Sequence, residues 1–216
     1  MRQQAKTAIR AAVASAYIGL FGSAAAFGQA IDPGVEPMSP EQEAQSALPE
    51  APTERPSPEE ELAVLLDALR DPDAENPMAM EERIVALWSR SGSATADLLL
   101  ERGRAAMTAN NLEAAIDHLT ALTDHAPDFA EGWNARATAF FMMEEFGLAM
   151  ADIERVLALN PQHFGAFAGL GLILHQTGRP EAALAAFREA QRLNPHREMV
   201  NQSIDRLAPE VDGRQI

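Results

Sequence analysis

The chain has 216 residues, of which 47% are hydrophobic but only 6% aromatic, a bias towards Ala and Leu that suits closely packed helices better than strands. Its formal charge is −15, Lys6 is its only lysine, and no basic cluster follows the first residues, which argues against nucleic acid or an anionic membrane surface as partner. Cysteine is absent, so disulfides, thiolate metal sites and cysteine nucleophiles are excluded.

Arg2, Lys6 and Arg10, with no acid among them, precede an apolar to weakly polar run from Ala11 to Phe27. This is the arrangement of a secretory signal peptide. A small-x-small site follows as Ala26-Phe27-Gly28 or Gly28-Gln29-Ala30. Residues 1–28 are read as the signal, and their removal lowers the formal charge by three. An uncleaved inner-membrane anchor is the alternative, but it needs about 20 strongly apolar residues. The richness of this run in Ala, Gly and Ser favours cleavage and a periplasmic product. Residues 29–58 then interleave Pro33, Pro37, Pro40, Pro49, Pro52, Pro56 and Pro58 with five glutamates. Such a stretch has too little apolar content to offset its ordering entropy and is expected to be a disordered, acidic tether. A docking segment for a proline-recognising partner is the alternative.

Residues 59–94 carry two amphipathic patterns, Leu62, Leu65, Leu66 and Leu69, then Ile84, Val85 and Trp88. They are read as a degenerate helical hairpin. Beyond it the chain repeats itself. Pro127, Pro161 and Pro195 are spaced by 34 residues, and aligning backwards from each brings a whole set of packing residues into register. Leu99, Trp133 and Phe167 fill a bulky slot, and four residues on stand Gly103, Ala137 and Gly171, small enough for two helices to approach closely. Ala115, Ala149 and Ala183 open the second helices. Leu119, Ile153 and Phe187 follow them.

These residues resemble the signature of the tetratricopeptide repeat (TPR), with its Trp, Leu-Gly, Tyr, Ala, Phe and Pro positions. The match spans Thr95 to Pro195, in repeats at 95–128, 129–162 and 163–196. The resemblance implies an all-α, right-handed superhelical solenoid of helix-turn-helix hairpins. Met199, Val200, Ile204 and Leu207 then predict a capping helix over 197–208, ended by Pro209, with a flexible tail over 209–216.

The chain carries few chemistry-bearing motifs. His118, His125, His163, His175 and His196 form no His-Glu-x-x-His pair and no ligand cluster with carboxylates, and adjacent glutamates such as Glu144-Glu145 point about 100° apart on a helix. There is no nucleophile elbow and no phosphate-cradling loop; the Gly-x-Gly of Gly169-Leu170-Gly171 lies inside a helix, where its glycines serve packing. No metal, cofactor or catalytic residue is expected. The resemblance instead implies that the first helix of each repeat lines a concave groove that holds a peptide or protein segment. Carried over to this chain, the groove residues are Arg104, Asn134, Thr138, Phe141, Met142, Leu172 and His175. Arg104 and Asn134 are placed to read a carboxylate or a peptide backbone, and Phe141, Met142 and Leu172 to bury an apolar side chain. The Lys/Asn/Arg clamp by which some family members seize a terminal carboxylate is missing. Arg102 and Arg136 occupy equivalent places and are expected to cover the hairpin seam while pairing with an acid. The expected function is that of an exported, non-enzymatic scaffold or adaptor. A structural component acting through its tether or end-to-end stacking is the alternative.

Overall fold

Local chemistry starts each helix where the chain needs one. In the computed structural model, which describes residues 56–213, Ser57 opens α1 (Pro58–Leu69) with a capping box. The Ser57 hydroxyl accepts the Glu60 N–H at 3.2 Å, and the Glu60 carboxylate accepts the Ser57 N–H at 2.8 Å. Proline, tolerated in the first turn, also opens α2 (Pro77–Trp88) and α8 (Pro180–Leu193). Ser93 caps α3 (Ala94–Thr108), Asn111 caps α4 (Leu112–His125) and the His163 ring caps α7 (Phe164–Gln176). The remaining helices are α5 (Ala130–Met142), α6 (Phe146–Leu159) and α9 (Glu198–Asp212). Among the described residues there is no strand. The expected signal segment, and the tether as far as residue 55, lie outside the described residues.

Helices α3/α4, α5/α6 and α7/α8 are the three repeat hairpins, and their close approach follows from the small residue in each first helix. A Cβ built on Gly103 would lie 2.6 Å from Leu119, and one on Gly171 would lie 2.6 Å from the Phe187 ring. Larger side chains there would push the helices apart. The turn inside each hairpin needs one left-handed residue, supplied in register by Asn110 (φ 55°), Glu144 (φ 60°) and Gly178 (φ 73°). Successive hairpins then share cores: Ala96, Leu100, Leu119 and Leu122 reach Ala135 and Ala139 of α5, and Ile153 and Val156 reach Ala166 and Ile173 of α7. The described residues thus form an all-helical solenoid of the kind that the repeat pattern implies.

The C-terminal end differs from expectation. Helix α9 runs through Pro209 to Asp212 instead of stopping at 208, because Val211, beyond the proline, is buried in the core with Ala183, Phe187 and Leu207. That burial, worth about 1.5–3 kcal/mol, offsets one backbone bond lost near a helix end. The N-terminal hairpin does not simply continue the array in chain order. Leu66, Leu69 and Ile84 share their core with Phe164 and Leu193, at the start of α7 and the end of α8. Polar ties follow the same rim: Arg70 donates to Gln162 at 2.9 Å, Asn194 to Glu81 at 2.7 Å, and Arg197 pairs with Glu81 at 3.3 Å. The hairpin is therefore docked on the third repeat.

Candidate functional site

The first helices of the repeats, α3, α5 and α7, present the residues expected to line the groove, and between α5 and α7 they leave a recess of about 250 Å³. Asn134, Thr138 and Phe141 form one wall, Leu172 and Ile173 the other, and Ile153 of α6 closes the floor. The recess exists because Gly165 and Gly169 of α7 face it without side chains; a Cβ on Gly169 would already sit 3.5 Å from Ile153. Of the two glycines in the Gly169-Leu170-Gly171 segment assigned to packing, only Gly171 abuts a neighbouring helix tightly, against Phe187. The recess is mainly apolar, with the polar ends of Asn134 and Thr138 at its side; the Thr138 hydroxyl is held by the Asn134 carbonyl at 3.0 Å.

Four of the seven expected groove residues thus line one recess, and three do not. Met142 is 45% exposed at the last turn of α5, and His175 is exposed in the last turn of α7. Arg104 faces a different space, a cleft of about 760 Å³ that Met78, Val85 and Ser89 of the N-terminal hairpin help to wall. Its guanidinium is also already engaged. One nitrogen donates to the Ser89 hydroxyl at 3.1 Å and another to the Glu131 carboxylate.

Glu131 is the centre of a network that sequence reasoning missed. Its side chain is buried, and both carboxylate oxygens accept from Asn134 at 3.3 Å. His163 stands beside it: the ring Nδ1 accepts the Ala166 N–H at 3.0 Å, so the ring proton resides on Nε2 and is directed at Glu131 across 3.2 Å. Trp88 of α2 stacks on the same imidazole, with ring centroids 4.5 Å apart. Burial pushes the Glu131 carboxyl up, but the His163 hydrogen bond and the nearby Arg104 charge outweigh it and hold the carboxyl below the usual carboxylate range. One carboxylate therefore ties together the recess, the cleft and the docked hairpin. The signal for it was a first-turn acid on one first helix opposite a histidine capping the next, a pairing that 34-residue register does not display.

The paired arginines separate as well. Arg136 grips Asp152 with two bonds of 2.8 Å and lies over the Trp133 and Phe140 rings, as expected. Arg102 is exposed. The position equivalent to Asp152 in its repeat is His118, so Arg102 has no acid to grip. Among the described residues no three His, Asp or Glu side chains gather as a metal site requires, and no helix is long and apolar enough to cross a membrane.

A helical-repeat array with an open, largely apolar recess on its first-helix face is the class of protein that these features define. The tetratricopeptide repeat family model matches residues 100–152 and 143–198. A TPR repeat-containing protein of Rhizobium etli is 36% identical over 160 residues, covering 73% of this chain and 78% of the relative. The chain belongs to the tetratricopeptide repeat family. Solved structures share the fold: the first TPR of Spaghetti (RPAP3) bound to the HSP90 peptide SRMEEVD aligns with a TM-score of 0.54 at 22% identity, over 56% of this chain and 95% of that one. The TPR2B domain of yeast Sti1 in its pHsp70 complex aligns with a TM-score of 0.51 at 19% identity, over 55% and 99%.

Proposed function

We propose that the chain is a non-enzymatic protein-interaction module whose concave face holds an extended segment of a partner protein, anchored by an apolar side chain in the recess between α5 and α7. The carrying observation is the recess itself, open, apolar and bordered by Asn134, whose amide nitrogen is held by Glu131 and whose side-chain oxygen is the atom placed to meet a peptide N–H. Solved relatives hold peptides such as SRMEEVD, which ends in carboxylates. Here Arg104 is already committed to Glu131 and Ser89. The preferred segment is therefore neutral and apolar.

The test is selection of random phage-displayed peptides on the full chain. Enriched peptides should share a bulky apolar residue, lose at least tenfold affinity to Phe141→Ala/Leu172→Ala, and outcompete SRMEEVD. Tight binding of SRMEEVD, or selected peptides indifferent to that double variant, would contradict the assignment. We propose further that the module works in the periplasm, supported by the basic start, apolar run and small-x-small site of residues 1–28. Sequencing the N-terminus of the mature protein from the envelope fraction checks this, and an intact Met1 there would oppose cleavage.

A further inference from the structure

We infer that the turn joining the two helices of the second repeat is a second docking surface, shaped for a basic amphipathic segment of a partner protein. It lies at the opposite end of α5 from Glu131 and does not depend on the groove reading.

The three repeats provide their own control, because corresponding residues occupy the same place in each hairpin. At the end of the first helix and the turn that follows, the first repeat reads Thr108-Ala109-Asn110-Asn111 and the third Gln176-Thr177-Gly178-Arg179. The second reads Met142-Met143-Glu144-Glu145. One turn into the second helix, Ala114 and Ala182 flank Leu148. The sister repeats show that the fold accepts small or polar residues at these positions; Thr177, for instance, bonds back to the Ile173 carbonyl at 2.8 Å. Packing therefore does not call for two methionines and a leucine. All three are left in solvent, with Met142 45%, Met143 39% and Leu148 51% exposed.

Met143 and Leu148 border a cleft of about 340 Å³ whose apolar floor is Ile116 and Phe140. Its rim is Glu113, Asp117 and Glu145, with Glu144 adjacent in the turn. No cation pairs with any of these four carboxylates among the described residues. At the next hairpin junction the rim positions hold Gly147, Ala151 and Arg179, so the acidic border is as specific to this turn as the apolar one. Glu144 also sits at φ 60°, where the sisters use Asn110 and Gly178, residues that tolerate that conformation. A glutamate on a left-handed backbone, exposed methionines and a leucine, and an unpaired acidic border coincide on one turn. Methionine-rich surfaces adapt to apolar partners, and carboxylates select the flanking lysines or arginines. The occupant is a segment that inserts one or two apolar side chains and surrounds them with cations.

The test uses the full chain and two synthetic helix-forming peptides, one of Leu and Lys and one with every Lys replaced by Glu, titrated by NMR. The Leu/Lys peptide should perturb amides of 112–117 and 140–148, and the Leu/Glu peptide should not. Met143→Thr/Leu148→Ala, which installs sister-repeat residues, should weaken binding at least tenfold with an unchanged melting temperature. Glu144→Gly should raise the melting temperature, since glycine adopts positive φ without strain, and still weaken binding. Glu154→Gln/Asp205→Asn, removing charge elsewhere, should leave binding intact. The inference is overturned if the double variant binds as wild type, if it unfolds at lower temperature, if perturbations spread over all acidic faces, or if Leu148→Ala abolishes a self-association instead.

Discussion

Replacing Arg136 by alanine should be among the most damaging single changes in the array. The guanidinium is bonded twice to Asp152 at 2.8 Å and also donates to Thr123 at 2.9 Å and Thr120 at 3.3 Å, joining α4 of the first repeat to both helices of the second. The side chains of Arg136 and Asp152 are only 15% and 6% exposed. Removing the cation leaves a carboxylate stranded in the seam, which costs about 3–5 kcal/mol. At about 2–4 °C per kcal/mol for a domain of this size, the melting temperature should fall by roughly 6–20 °C. Replacing both partners by apolar groups, as Arg136→Met/Asp152→Leu, strands nothing and should recover most of that loss. Arg102→Ala is the internal control, expected within about 0.5 kcal/mol of wild type because Arg102 is exposed and the position equivalent to Asp152 in its repeat is His118. Thermal and urea melts of the four proteins decide the matter. An Arg136→Ala loss below about 1 kcal/mol, or a double variant no more stable than the single one, would refute a buried, interdependent pair.

Three further outcomes follow from the described contacts. The Glu131 carboxyl is held below its ordinary range in the fold, so its contribution is fully present above its unfolded value of about 4.3 and is lost as pH falls through the lowered folded value. Glu131→Gln should therefore flatten the acid side of the stability curve, and an unchanged acid slope in urea melts would contradict the network. Trp88→Ala removes the ring stacked on His163 and should raise hydrogen exchange in 58–88 while α3–α8 stay protected; unchanged exchange there would mean that the stack does not hold the hairpin. Gly171→Ala should lower stability by about 1–2 kcal/mol despite a better helix propensity, because its Cβ would lie 2.6 Å from the Phe187 ring. Phe187→Leu added to it should restore part of the loss, which calorimetry can read.

What the sequence displayed was whatever the repeat imposes on itself. Gly103, Ala137 and Gly171 recur because two helices must touch at the same height in every hairpin, and a 34-residue period makes that requirement visible three times. Asn134, Thr138, Phe141 and Leu172 could be placed in the groove for the same reason. What stayed hidden depends on contacts made once. Glu131 meets His163 across two repeats, and Trp88 reaches His163 from a hairpin whose register matches neither repeat. Met142 has the apolar character of a groove residue but stands one step too far along α5, and Arg102 shares its place with Arg136 but not an acidic partner. Pro209 carried a stop signal that the burial of Val211 overrides.

The same contacts explain how a chain of formal charge −15 can present a nearly neutral recess. Around the groove, charge is consumed internally: Glu131 by Arg104, Asn134 and His163, and Asp152 by Arg136. At the turn of the second repeat it is not consumed at all, because Glu113, Asp117, Glu144 and Glu145 face solvent unpaired. The two proposed surfaces should then respond oppositely to salt. Exposed charges are screened over about 8 Å at physiological ionic strength, so raising salt should strip a basic segment from the turn. Apolar burial is not weakened by that screening, and an extended segment anchored in the recess should stay bound under the same conditions. A single partner using both surfaces would lose only the salt-dependent part of its affinity, and Met143→Thr/Leu148→Ala would remove that same part without adding salt.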